Sequence, residues 1–259
     1  MKKNIYLTIL TIVTVLCIIG GTCYHVIGWG VSLAEHFVPF FKSQQEETST
    51  KQSSADNTKL DAFSNISVDV KVMDLTLTKG SDFSISYSAS EKLVPEYDVD
   101  DGTLVLTQKG LKSDSLMGMN SKKCSVTITV PEDLQTVDIN ANVGDINVNQ
   151  ITAENLFLNA NVGDIDVNAC SFEKVVSDAN VGDVDFENTS FHNMEISNDV
   201  GDVSVSAKAL SDYQMDLTTD VGEVSVNDNN YRKSYNQSGD SNCKLVIDNN
   251  TGDIEVEYR

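Results

Sequence analysis

The alternation of apolar and polar positions changes character along the chain, and each change predicts a different element. From Ile5 to Ile27 no formally charged side chain appears. These 23 residues, if helical, would span about 34 Å against a hydrocarbon core of about 30 Å, so the run predicts one membrane-crossing helix. Val31, Leu33, Phe37, Val38, Phe40 and Phe41 extend the apolar stretch toward residue 42. The next segment, SQQEETSTKQSSADNTK at 43–59, has no large apolar residue and predicts a flexible polar linker over 43–60. From Phe63 onward apolar residues alternate with polar ones, the period-2 mark of strands that bury one face.

Within the alternating part a seven-residue phrase returns: NVGDINV at 142–148, NVGDIDV at 161–167, NVGDVDF at 180–186, DVGDVSV at 199–205, DVGEVSV at 220–226 and NTGDIEV at 250–256. Its glycines, Gly144, Gly163, Gly182, Gly201, Gly222 and Gly252, are 19, 19, 19, 21 and 30 residues apart. A period near twenty predicts stacked coils, because one such unit cannot bury its own apolar face. Around the first phrase Ile139, Ala141 and Val143 fall on one parity and Ile146 and Val148 on the other. The flip makes Gly-Asp a corner between two strands, where glycine allows φ > 0 and Asp can hydrogen-bond the turn. The same inward slots recur as Leu156, Leu158, Ala160, Val162, Ile165 and Val167, and as Met194, Ile196, Val200, Val203 and Val205.

The predicted fold is all-β: a single-stranded, parallel, β-helix-like solenoid with coils of about 20 residues, preceded by one N-terminal transmembrane helix. Residues 1–42 form the anchor and juxtamembrane segment, 43–60 the linker and 61–259 the solenoid. Irregular first coils over 61–130 cap the stack, and regular coils follow over 131–259. Turns are predicted at Thr78-Lys79-Gly80-Ser81 and Asp100-Asp101-Gly102. The long interval between Val226 and Leu245 reads as a loop, made conspicuous by Tyr231, Arg232 and Tyr235.

Charge sharpens the picture. The chain carries a net charge of −21; Lys2, Lys3, Lys42 and Glu35 give residues 1–42 a net +2 and leave −23 on residues 43–259. A body this acidic repels phosphates and argues against a nucleic-acid partner. Lys2 and Lys3 ahead of the apolar run place the N-terminus in the cytoplasm and the remainder outside, a single-pass cell-membrane protein. A cleaved signal peptide fits the same leader; no small-x-small site sits close behind Ile19, which favours the uncleaved anchor. The cysteines form no metal or disulfide framework, and Cys170, near a predicted turn, reads as a small buried hydrophobe.

Asp145, Asp164, Asp183, Asp202, Glu223 and Asp253 fall in one outward slot of successive coils. Carboxylates about 5 Å apart repel by roughly 0.8 to 3 kcal/mol per pair, depending on the effective dielectric. Solvation, backbone hydrogen bonds or a cation would relieve this. The densest group, Asp164, Asp166, Asp183 and Asp185, offers the hard oxygens that calcium takes. Yet the nine-residue glycine-rich repeat that builds calcium into other β-rolls is absent. Asn142, Asn161 and Asn180 stack as an amide ladder. His192 reads as an exposed turn residue, and GxSxG, HExxH and phosphate-loop motifs are missing. The expectation is therefore a non-enzymatic protein without a cofactor, a β-helical carbohydrate-active enzyme being the catalytic alternative.

The lysine start, apolar helix, polar tether, the Val68-Asp69-Val70 to Leu77 opening, the VTITVP run at 126–131 and the repeated GDI/GDV coils resemble, over nearly the whole chain, the bacterial "putative adhesin" family of membrane-anchored domains, LiaG-like proteins among them. That resemblance implies a bacterial cell-surface location and a role in adhesion or in envelope-stress signalling through a membrane partner. It supplies no catalytic residues. The partners it implies are the cytoplasmic membrane, through residues 5–27, and an envelope polymer or protein.

Overall fold

Extended strands form wherever the period-2 alternation runs, because β-branched and aliphatic residues on one parity need a shared interior. The computed structural model describes residues 52–109, 124–208, 210–239 and 242–258. The expected membrane helix at 5–27, the stretch up to residue 42, tether residues 43–51, and the segment 110–123, whose sequence GLKSDSLMGMNSKK reads as a loop, lie outside the described residues. Among the described residues no helix is long and apolar enough to cross a membrane.

In chain order the strands are β1 (Gln52–Lys59), β2 (Asn65–Val70), β3 (Asp74–Lys79), β4 (Ser84–Ser90), β5 (Glu96–Asp100), β6 (Thr103–Thr107) and β7 (Ser125–Val130). Then come β8 (Leu134–Val143), β9 (Ile146–Asn149), β10 (Thr152–Val162), β11 (Ile165–Asn168), β12 (Ser171–Val181), β13 (Val184–Glu187), β14 (Ser190–Val200) and β15 (Val203–Ala207). The last are β16 (Gln214–Val221), β17 (Val224–Val226), β18 (Asn229–Asn230), β19 (Ser234–Gln237), β20 (Lys244–Thr251) and β21 (Ile254–Tyr258). They form an 11-stranded and a 10-stranded sheet. Each regular layer gives one long strand to the second sheet and, after the Gly-Asp corner, one short strand to the first. Successive layers pair in parallel and in register, as Ile146 with Ile165 and Ile165 with Val184.

The interior is a set of columns that run from layer to layer. Leu75, Ile146, Ile165, Val184, Val203, Ile254 and Val224 make one, all at 0–1% exposure. Ile66, Val137, Leu156, Val175, Met194, Leu245 and Met215 face them from the other sheet. An all-β, parallel, solenoid-like body with steps of 19 residues is therefore the fold that the alternation predicts.

Four expectations need correction. The layers do not stack in chain order. β20 lies between β14 and β16, and β21 between β15 and β17, so the layer carrying Asp253 is inserted ahead of the one carrying Glu223. At the other end β2 and β3 sit inside the layer of β6 and β7. Second, β2 and β3 are a regular layer rather than an irregular cap; Met73-Asp74 stands where later layers have Gly-Asp, which hid the repeat.

Third, Val143, Val162 and Val200 point outward, at 39%, 43% and 47% exposure. The parity breaks one residue before the glycine, since Ala141, Ala160 and Asn198 are the last inward positions of their strands. Fourth, the ends are closed by antiparallel pairs. β4 pairs β7 and β1 pairs β4 at one end of the first sheet, while β5 pairs β6 in the second. Residues 52–59, expected within the tether, are thus an edge strand: the ladder to β4 pairs one side of their backbone although they bring no large apolar side chain. The expected loop after Val226 begins as a hairpin, with Asn227 and Asp228 at φ 46° and 62° as a type I′ turn requires. It continues into β19, which pairs β16. Such strands protect stack ends that would otherwise expose core and pairing edges.

Candidate functional site

The outward acidic slot is a continuous hydrogen-bonded ladder. Each main-chain N–H of this slot donates to the Oδ1 of the residue one layer earlier: Asp145 to Asp74 (3.2 Å), Asp164 to Asp145 (3.1 Å), Asp183 to Asp164 (2.9 Å) and Asp202 to Asp183 (2.8 Å). The chain-order break is carried through, since Asp253 donates to Asp202 (2.8 Å) and Glu223 to Asp253 (2.9 Å). A carboxylate accepting a backbone amide is the charge-assisted kind of hydrogen bond, and this offsets the repulsion between neighbours. Glu223 closes the series: its longer side chain accepts from Asn230 Nδ2 of the end hairpin at 2.7 Å. The sequence pattern missed Asp74, the first member, because Met73 replaces the glycine that marks the slot.

Glycine at the corner answers to a close approach. Gly182 has φ 149°, and a Cβ there would lie 2.1 Å from the carbonyl oxygen of Gly163 in the adjacent layer. Stacked corner backbones leave no volume for a side chain.

Of the four calcium candidates, Asp164 and Asp183 use one oxygen in this ladder, while Asp166 and Asp185 face out from paired positions two residues on. Among the described residues no three Asp, Glu, His or Cys side chains converge on a common metal position. Burial, followed by the charges of Asp185, Asp164 and Asp145, raises the carboxyl of Asp166 above the ordinary aspartate range. Asp185 is raised as well, mainly by burial, against the hydrogen bond from Ser204 that lowers it.

Beside the acidic slot runs the amide ladder. Asn161 Nδ2 donates to Asn142 Oδ1 at 3.0 Å and Asn180 Nδ2 to Asn161 Oδ1 at 2.8 Å. Between these two polar ladders stand Val143, Val162, Val181, Val200 and Val221, at 39–61% exposure.

At the opposite corner Gln150, Ala169 and Asn188 hold left-handed conformations, with φ of 58°, 55° and 51°. Each is followed by a buried residue, Ile151, Cys170 or Thr189. Cys170 Sγ accepts from the N–H of Ile151 at 3.3 Å and donates to the carbonyl of Asn168 at 3.2 Å. Thr189 Oγ1 donates to the carbonyl of Glu187 in the equivalent place. Burial raises the Cys170 thiol, so this sulfur is a structural donor rather than a nucleophile. His192, read as an exposed turn residue, is exposed but lies within β14, its Nδ1 2.9 Å from Glu173 Oε2. The rings of Tyr231 and Tyr235 pack in a tilted pair, centroids 4.6 Å apart and planes at 55°, in the end cap, with the Tyr235 hydroxyl donating to Gln237 Oε1 at 2.9 Å.

Among the described residues, two sheets of in-register parallel strands, closed by antiparallel caps and lined outside with repeating rows, define a repeat domain that displays ladders. The chain belongs to the Toastrack DUF4097 family, whose profile matches residues 63–259. No curated protein matches it. Among solved structures, a "putative cell adhesion protein" from Clostridium sporogenes is similar at 18% identity, covering 81% of this chain and 99% of that chain with a TM-score of 0.49. A "putative adhesin" from Bacteroides fragilis, also 18% identical, covers 80% and 97% with a TM-score of 0.47. Another from Parabacteroides merdae is 17% identical, covering 81% and 96% with a TM-score of 0.34. Adhesion is said there of those proteins.

Proposed function

We propose that this protein is a membrane-anchored, cell-surface module of adhesin-like type that binds a partner or an envelope component and catalyses nothing. Residues 5–27 are its anchor, the N-terminus is cytoplasmic, and the solenoid lies outside. One observation supports the binding role most: the outward rows repeat in register from layer to layer, at the roughly 4.8 Å spacing of paired strands. A group that recognises a ligand is then offered again at a fixed interval, which suits a repetitive polymer through multivalency. The adhesion implied by the sequence resemblance agrees with this role.

Two assays on the full chain test it. In intact bacterial cells whose cytoplasmic membrane is reached by external protease, the protease should remove an epitope placed after residue 60; a protected epitope would overturn the orientation. Detergent-solubilised full chain should sediment saturably with purified envelope material and release no soluble saccharide. Release that disappears in Asp164→Asn or Asp183→Asn would replace the binding role with a carbohydrate-active enzyme.

A further inference from the structure

The outer face of the 10-stranded sheet carries a feature that the ladders do not explain. Lys59, Lys71, Lys79 and Lys109 each pair with a carboxylate. Among the described residues Lys174 on β12 and Lys244 on β20 form no salt bridge, although residues 43–259 carry a net charge of −23. They stand on either side of Asn193 in one outward row, since Lys174 pairs in register with Asn193 and Asn193 with Lys244. Two strand steps separate them, about 10 Å along the stack. Between them lies a groove of about 70 Å³, room for roughly five waters and hence for a carboxylate with part of the group that bears it.

The next row of the same face carries three apolar residues, with Asp138 and Asp216 at its two ends. Phe157, Val176 and Val246 are outward and half-buried, with exposed Glu195 between the valines. The Lys174 ammonium lies 5.6 Å from the centroid of the Phe157 ring rather than on Glu195. Cations in one row and an apolar strip in the next, both parallel to the stack, match a chain that is anionic on one edge and hydrocarbon on its flat side. A sugar ring presents such a C–H face, and a carboxylated sugar adds the anion.

We infer that this groove binds a carboxylated polysaccharide, with successive same-side carboxylates at Lys174 and Lys244, the Asn193 amide between them, and sugar rings lying on Phe157, Val176 and Val246. This rests on the proposed surface-binding role and names its ligand class. The wider negative field repels every polyanion, so the attraction and the selectivity for this spacing come from the two local cations.

The test is a binding titration of the full chain, in detergent, with oligogalacturonate as probe and a neutral malto-oligosaccharide of equal length as comparator. Oligogalacturonate should bind and the neutral chain should not. Lys174→Gln with Lys244→Gln should weaken binding about tenfold or more, the loss of two charge-assisted contacts. Glu195→Gln should tighten it by removing a like charge. Lys92→Gln with Lys208→Gln, which removes equal charge elsewhere, should leave it unchanged. Equal losses in both double variants would overturn the assignment, as would a Lys174/Lys244 variant that melts lower but binds normally. Saturable envelope binding that ignores Lys174 and Lys244 would sink the groove and leave the surface role standing. Absence of any envelope binding would sink both.

Discussion

Four successive corners of the solenoid, at Gly144, Gly163, Gly182 and Gly201, set a residue without a side chain before a short acceptor. Gly182→Ala places a methyl group 2.1 Å from the Gly163 carbonyl oxygen, and the strain should cost about 2–4 kcal/mol. Thermal unfolding followed by circular dichroism should show it as a clear drop in Tm; an unchanged Tm would mean that the stacked corners are looser than described. Asp183 makes the companion case. Its Oδ1 accepts the Asp202 amide, so Asp183→Asn, which keeps an oxygen there, should melt near wild type, while Asp183→Ala should lose about 1–2 kcal/mol. If Asn and Ala are equally damaging, charge rather than acceptor geometry holds the slot. Ala169 tests the opposite corner, for at φ 55° an alanine is strained and glycine is not. Ala169→Gly should gain about 0.5–1 kcal/mol once glycine's greater freedom in the unfolded chain is allowed for; a loss would show that the Ala169 methyl packs usefully.

At the scale of elements, sequence pattern served best where one layer repeats the last. Residues 134–207 could be placed from the phrase alone, and the column of Ile146, Ile165, Val184 and Val203 follows from it directly. The inserted layer was not legible in that way. Apart from Thr251 in place of valine, NTGDIEV reads like its neighbours, and its position is set by which columns it completes on both sides. The edge strand at 52–59 escaped for a different reason: edge strands need little apolar surface, so a polar composition is compatible with a tether and with a ladder. The Lys174/Lys244 groove was equally invisible, since 70 residues separate its lysines and only the insertion of β20 beside β14 unites them. Deleting residues 244–259 removes the partner of β14 and of β16 together. Limited proteolysis should then cut within 210–239 while 134–187 stays protected, and continued protection of 210–239 would contradict the inserted topology.

For the whole molecule, acidity interacts with burial. Burial and then neighbouring carboxylates raise Asp166 above the usual range, so the folded state holds that proton more firmly than the unfolded chain does. This contribution to stability is fully present below the ordinary aspartate pKa and is lost as pH rises through the raised folded value. At neutral pH Asp166→Asn should accordingly raise Tm, by well under about 1 kcal/mol because the group is largely solvated. The gain should shrink to nothing on acidification through that window, and a gain that persists below it would reject the electrostatic account.

The inserted layer also bears on how the molecule assembles in time. Zipping from one layer to the next joins residues about 19 apart, as in Asp164 to Asp183, whereas the joint from Asp202 to Asp253 spans 51 residues. Contacts so distant along the chain form late, because their loop must close before they contribute. Residues 210–226 can therefore find their final neighbours only when residues 244–258 have arrived. For a polypeptide emerging N-terminus first, the stack cannot be finished one rung behind the machinery that delivers it, and closure should appear as a separate slow phase in refolding kinetics.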